Sequence, residues 1–299
     1  MIRICDREIR VEGQLLRIAR LEADGYEFLE DPGPVLEGLR KSKTRIDLFT
    51  FTQKLPETSP KYHYPMEWDN FAALPVSTFE HWWDQQIGFK ARNKAKQAEK
   101  KGVRLKEVPF SDELANGIHA IYNECPVRQG RLFRHYGKNI ETVRKEEATF
   151  LDTSAFIGAF VEDELIGFVK LTWDETRTQA GLMNIISLIQ HRDKAPNNAL
   201  IAHSVGYCAD HGIKYLVYSN FAYGNKSHDS IVDFKERNAF QRIDVPRYYV
   251  PLTRLGSVAF RFGLHHKLTE RIPEPLLLKL RELRRAWHHH KLQSAAQVS

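Results

Sequence analysis

Between residues 156 and 252 the hydrophobic pattern changes period in a fixed order, and that order restricts the fold more than any other feature of this 299-residue chain. Phe156 to Val161, Leu165 to Trp173 and Gly181 to Gln190 alternate apolar with small or polar residues, the pattern of strands with one buried face. Two acidic turns, Glu162-Asp163-Glu164 and Asp174-Glu175-Thr176, join them as antiparallel neighbours. A helical stretch from Asn197 to His211 follows, closed by Gly212. Next come an apolar strand from Tyr215 to Phe221, a helix capped by Ser227 and ending at Asn238, and a last strand from Val245 to Leu252. The predicted order is β-β-β-α-β-α-β, an α+β lobe built on a mixed sheet.

Upstream, residues 2 to 21 read as short strands, Pro32-Gly33-Pro34 opens a short helix to Ser42, and Ile46 to Leu55 reads as an apolar strand. Residues 56 to 75, rich in Pro, Tyr and Trp, are predicted to be an irregular connection. Ser77-Thr78-Phe79-Glu80 has the form of a capping box, which predicts a helix running from Ser77 to Gly102. Two further helices are expected after Ser111 and Asn139. Beyond Pro275, Leu276, Leu280, Leu283 and Trp287 share one helical side and Arg281, Arg284 and Arg285 another.

The net charge of +6 is unevenly placed. Lys90 to Lys106 holds eight bases against Glu99, and residues 254 to 299 hold nine against three acids, which leaves the remainder at −7. Like charges packed this densely repel, so an anionic partner such as acceptor phosphates, RNA or anionic lipid relieves a cost; a solvated face is the competing reading. The three cysteines are far apart and lack metal-ligand spacing. There is no HExxH or GxSxG, and His265-His266 and His288 to His290 have no carboxylate or cysteine at fixed spacing, so no metal site is predicted. The charged start MIRICDREIR and the lack of an 18-residue apolar run predict a cytoplasmic protein; for the basic tail helix, packing on the lobe ranks ahead of a peripheral contact to the inner face of a membrane, because its apolar stripe is narrow.

Four stretches carry a resemblance to a known family. They are Lys90-Ala91-Arg92-Asn93-Lys94-Ala95-Lys96 through Lys101-Gly102-Val103, Ala195-Pro196-Asn197-Asn198-Ala199-Leu200, Phe234-Lys235-Glu236-Arg237-Asn238-Ala239-Phe240, and Arg247-Tyr248-Tyr249-Val250-Pro251-Leu252. In order and spacing they resemble the GNAT acyltransferase fold, more narrowly its Fem-type and BioF2-like branch. The resemblance implies a mixed central sheet flanked by helices, with residues 77–253 as the catalytic-type lobe, 1–76 as a degenerate N-terminal GNAT-like lobe and 254–299 as a basic tail.

It also implies N-acyl transfer from acyl-CoA, as co-substrate, to an amine of a phosphate-bearing, cell-envelope type acceptor. The donor pyrophosphate would lie at a helix N-terminus, on Arg192, Lys194, Ala195, Asn197, Asn198 and Ala199. Here the chain departs from the family, because the usual glycines are missing and Pro196 removes one N–H. The family's carbonyl-stabilising lysine corresponds to Lys235, and Asn238 stands for a glycine expected in the left-handed conformation. Tyr223, after the fifth strand of the lobe, is the candidate general acid, and Asn220 and Asn225 the candidates for orienting the acyl amide. Arg92 and Lys96 are the candidates for acceptor phosphates. No carboxylate occurs between Gly181 and Gln190, where many GNAT enzymes carry their base. The competing function is a GNAT-derived module without catalysis that holds RNA or an anionic surface through the basic helix; nucleic acid ranks below acyl-CoA as a partner.

Overall fold

The computed structural model describes residues 1–128, 131–222 and 230–266. The three predicted antiparallel strands are β9 (Ser154–Val161), β10 (Glu164–Trp173) and β11 (Gln179–Ser187). They form one side of an eleven-stranded mixed sheet. β6 (Val103–Val108) extends it beyond β9, and β12 (Tyr215–Asn220) joins β11 in parallel. On the far side, β1 (Ile2–Ile4), β2 (Arg7–Glu12) and β3 (Ile18–Leu21) form a meander, and β3 pairs in parallel with β4 (Leu48–Thr52).

Two strands join these halves. β5 (Met66–Pro75) lies against β12, and β13 (Gln241–Pro251) lies between β5 and β4. β13 is 11 residues long, enough for Gln241 to Tyr248 to pair with β5 while Arg247 to Pro251 pair with β4. The irregular connection expected over residues 56 to 75 therefore holds a central strand. Its pattern hides it, since only Phe71 to Leu74 are buried and Glu67, Asp69 and Asn70 are polar residues placed between neighbouring strands.

Helix α1 (Gly33–Lys41) buries Val35, Leu36 and Leu39 on the β1–β4 half, in a core with Ile9, Leu21, Phe49 and Phe51. The larger core lies under α4 (Asp112–Asn123), α5 (Ile140–Glu147) and α6 (Pro196–Asp210). Ser111 and Asn139 cap α4 and α5 as the sequence predicts, through side-chain oxygens that accept from Leu114 and Thr142 N–H.

The helix expected from Ser77 to Gly102 is interrupted. Thr78, not Ser77, is its N-cap, accepting from His81 N–H at 3.1 Å. A short α2 (Phe79–His81) runs into a π-turn over Trp82–Gln86 and breaks, and α3 (Phe89–Lys100) starts afresh. The break has a physical cause at Gly88, whose N–H donates to the carbonyl of Arg237 at 2.8 Å, so the turn closes the end of α7 (Ser230–Arg237). A Cβ at Gly88 would come within 3.0 Å of that carbonyl oxygen. Gly102 (φ +78°) and Gly212 (φ +68°) end α3 and α6 in the left-handed conformation expected of them.

A small hairpin, β7 (Val127–Arg128) and β8 (Arg131–Leu132), follows α4, and α8 (Arg254–Arg261) packs on β13. Ser227 and the predicted helix after Pro275 lie outside the described residues. Among the described residues no helix is long and apolar enough to cross a membrane.

Candidate functional site

β11 and β12 pair over three residues only, Gln179 with Tyr215, Ala180 with Leu216 and Gly181 with Val217. Past that point β12 has a bulge, Ser219 takes a left-handed φ of +48°, and the ladder between the two strands ends. A cleft of about 1020 Å³ opens there. Its walls are α3, the end of β11, the turn leading into α6, Tyr218 of β12, and α7. Among the described residues, Lys90, Lys94, Arg128, Arg192 and Arg237 line it and no Asp or Glu does, while Phe133, Ile185, Ile186, Leu188, Ile189 and Phe234 supply apolar surface.

Helix α3 builds its wall by periodicity. Ala91, Ala95 and Ala98 are buried, their small side chains letting α3 pack closely on α6. Lys90, Asn93, Lys94 and Gln97 then face the cleft. Arg92 and Lys96, the predicted acceptor contacts, fall off that face and do not line it. Arg92 donates to the carbonyl of Asp84 at 3.2 Å, and the Lys96 ammonium lies 5.8 Å from the Trp83 ring centre. Lys101 pairs with Asp193 at 2.7 Å and Gln97 donates to the Asp193 carbonyl at 2.7 Å, which ties α3 to the turn before α6.

That turn brings Arg192, Ala195, Asn197 and Asn198 into the cleft; Lys194 and Ala199 do not line it. Ala195 is left-handed (φ 51°, ψ 44°), so an alanine holds the conformation for which glycine is the usual residue. Two of the predicted phosphate amides are spent inside the turn, since Ala195 N–H donates to Arg192 and Asn198 N–H to Ala195, both at 3.1 Å. The side chains of the cleft therefore provide most of its capacity to hold an anion.

Arg128, without a motif to mark it, comes from β7. Its guanidinium donates to the carbonyls of Ser187 and Ile121 at 2.7 Å and to Glu124 at 3.0 Å. Glu124 in turn accepts from the N–H groups of Ile189 (2.7 Å) and Gln190 (3.0 Å), fixing the segment that leads to Arg192. Burial pushes the Arg128 pKa down against the pull of Glu124, and the charge of Arg192 adds to the lowering.

Lys235 is fully buried and does not itself line the cleft. Its ammonium donates to the carbonyl of Asn220 and lies 4.8 Å from the ring centre of Tyr218, one of the cleft residues. The Asn220 side chain donates to Asp69 Oδ1, and Asp69 Oδ2 accepts from Arg247 (2.8 Å), which also pairs with Asp24 (3.0 Å). Asn238 is fully buried and is not left-handed; Ala239 is, at φ +69°. The shift by one residue follows from capping, since Asn238 Nδ2 donates to the Phe234 carbonyl (2.7 Å) and Asn238 stays with the helix end. Tyr223 and Asn225 lie outside the described residues. On β11, Asn184 donates to Glu147 Oε1 of α5 at 3.0 Å, and Glu147 is buried and does not line the cleft.

A parallel strand pair that parts after three residues, preceded by an antiparallel meander and bridged by a helix whose N-terminus faces the gap, is the GNAT arrangement. The chain has a GNAT fold. The GNAT fold expected from the sequence is thus borne out. Part of it is repeated at the N-terminus, where β2 and β3 are antiparallel and β3 and β4 are parallel over Ile18 to Arg20, with α1 between them. Two solved structures are similar to the chain over most of its length. The C-terminal domain of a lysylphosphatidylglycerol synthetase from Agrobacterium fabrum matches 85% of this chain and 83% of its own at TM-score 0.56 and 12% identity. L-PGS from Bacillus licheniformis matches 84% of this chain and 83% of its own at TM-score 0.54 and 14% identity. No protein-family model and no curated protein matches the sequence.

Proposed function

We propose that the chain is a Fem-like N-acyltransferase that takes its acyl group from a phosphate-bearing donor, with acyl-CoA as the first candidate, and passes it to an amine of an anionic, cell-envelope type acceptor. One observation supports this above all: among the described residues, five cations and no carboxylate line a cleft at the strand gap, beside apolar surface from β11 and α7. The cations suit phosphates, and Ile185, Ile186 and Phe234 suit the arm and acyl chain that follow them.

Amine attack on the thioester carbonyl moves charge to its oxygen and needs a donor there. Lys235 is the proposed donor. Its ammonium lies behind the Tyr218 wall, where it donates to the Asn220 carbonyl, so reaching a developing oxyanion requires movement at that wall. Tyr223 remains the proposed proton donor to the leaving thiolate. The chain is proposed to act in the cytoplasm, with its basic tail at the membrane face.

Acyl-CoA, CoA and adenosine 3′,5′-bisphosphate are to be tested by thermal shift, together with thiol release in the presence of amine acceptors. A donor at a hundred times its Kd adds about 2.7 kcal/mol of stability, a readily measured rise in Tm. No shift with any of the three at millimolar concentration, together with no thiol release, refutes the CoA reading. The same cations would also fit an RNA-binding module; salt-dependent RNA affinity that is unchanged by Lys235→Met, with no acyl transfer, would select it instead.

A further inference from the structure

We propose that Glu67, His265 and His266 form a divalent-metal site, with Zn²⁺ as the fitting ion. The sequence hides it, because the carboxylate is 198 residues upstream of His265. Glu67 lies on β5, directly opposite Arg247 on β13. After α8 the chain turns at the left-handed Gly263 (φ +64°) and brings two consecutive histidines onto that carboxylate.

Both Nε2 atoms lie 3.1 Å from the same oxygen, Glu67 Oε1, and the three candidate ligand atoms are all within 4.8 Å of one another. Zinc bound to nitrogen and oxygen at about 2.0–2.1 Å in a tetrahedron sets its ligands about 3.3 Å apart, so a small closure of the three atoms suffices. Two neutral imidazoles and one carboxylate form a donor set that zinc accepts, leaving a fourth position for water. The His265 ring is held before any ion arrives. Its side chain is 1% exposed, 4.5 Å from the Tyr249 ring and 5.1 Å from that of Phe260, between β13 and α8. The His266 side chain is 37% exposed and leaves a path from solvent.

Around Tyr249 the charges of Glu67 and Asp69 are matched by Arg20 and Arg247, and Arg247 is paired with Asp24 and Asp69, while the Glu67 carboxylate faces the two histidines. Bound metal would fasten the segment after α8 to β5, the strand that links the two halves of the sheet. This site is independent of the acyl-transfer reading and of Lys235.

The full-length protein, stripped with a chelator, is to be titrated with Zn²⁺ by calorimetry and followed by melting temperature, with Co²⁺ as an absorbing substitute. The expected result is one saturable equivalent lost in Glu67→Gln, a raised Tm, and a tetrahedral Co²⁺ spectrum that disappears in the same variant. Glu67→Gln and His266→Asn should each weaken binding about tenfold or more without lowering the metal-free Tm. His288 to His290 can bind metal by themselves, so a variant with all three changed to Asn is run alongside. Zinc binding that survives Glu67→Gln and His266→Asn but is lost in the triple variant overturns the proposal, as does the absence of saturable binding to the parent chain.

Discussion

His135 shows how one buried side chain can set a pH limit for the whole lobe. It is 6% exposed, its ring centre lies 4.4 Å from that of Tyr122, and its Nε2 accepts from Arg134 Nε at 2.8 Å. Burial first, then the charges of Arg134, Lys138 and Arg128, push its pKa down to about 3 from 6.5. A lowered folded pKa means that the unfolded chain takes up the proton first as pH falls. The stability is present in full above about 6.5 and is lost between there and about 3, at up to about 1.4 kcal/mol per pH unit. Urea unfolding at a series of pH values should show this slope, and His135→Gln, which cannot charge, should flatten it; an unchanged slope refutes the assignment. Lys235 makes a second residue-scale test. Lys235→Met keeps the volume but removes the ammonium, so acyl transfer should fall at least tenfold while the melting temperature moves by a few degrees. Transfer within about twofold of the parent would make the lysine purely structural. The sequence marked Lys235 through its motif, but only packing shows that it is buried. Arg128 and Glu124 carried no motif at all, because their roles depend on where β7 and the β11–α6 segment meet.

At the scale of elements, α3 was legible as a basic helix but not as two half-used faces. The capping pattern at Ser77 and the alanines inside the basic run imply one long helix, and nothing local signals that Gly88 is needed to meet the end of α7. Because the break sets the phase of α3, it decides that Lys90 and Lys94 line the cleft while Arg92 and Lys96 do not. Lys94→Glu should therefore weaken binding of a phosphate-bearing donor about tenfold, whereas Lys96→Glu should leave it within about twofold, measured by titration at low salt. Equal losses in the two variants would show that the helix acts only through its overall charge. The start of β11 has a comparable dependence on one residue. Tyr26, from the segment before α1, lies over Gly181, where a Cβ would come 2.4 Å from its ring, and its hydroxyl donates to the Leu182 carbonyl at 3.2 Å. Gly181→Val should cost about 1–3 kcal/mol by forcing Tyr26 off the strand, read by chemical denaturation. A stability equal to that of the parent would mean that Tyr26 can move at no cost.

For the whole molecule, the order of strands within the second lobe was legible because each run has its own period, whereas the crossing of chain between lobes was not. β13 reads as the closing strand of its own lobe, yet five of its residues pair with β4, and β5, which precedes that lobe in the chain, occupies the place beside β12. No local pattern records which distant strand fills a given place in a sheet. The consequence concerns how the chain can be divided. A fragment of residues 77–253 would keep every element predicted for the catalytic lobe but lose β5, and with it the partner of both β12 and the first part of β13. Asp69 would go too, releasing the Asn220 side chain and Arg247 at the point where Lys235 is held. Exposed strand edges of this kind promote pairing between chains, so the fragment should be insoluble or unfolded and unable to bind donor. Restoring residues 66 to 76 should recover part of its solubility, because β5 is then available again. The intact chain should unfold in a single calorimetric transition, since β5 and β13 are shared by both halves. A soluble, monomeric 77–253 fragment with cooperative melting, or two separate transitions in the full chain, would show that the lobes are independent despite their shared strands.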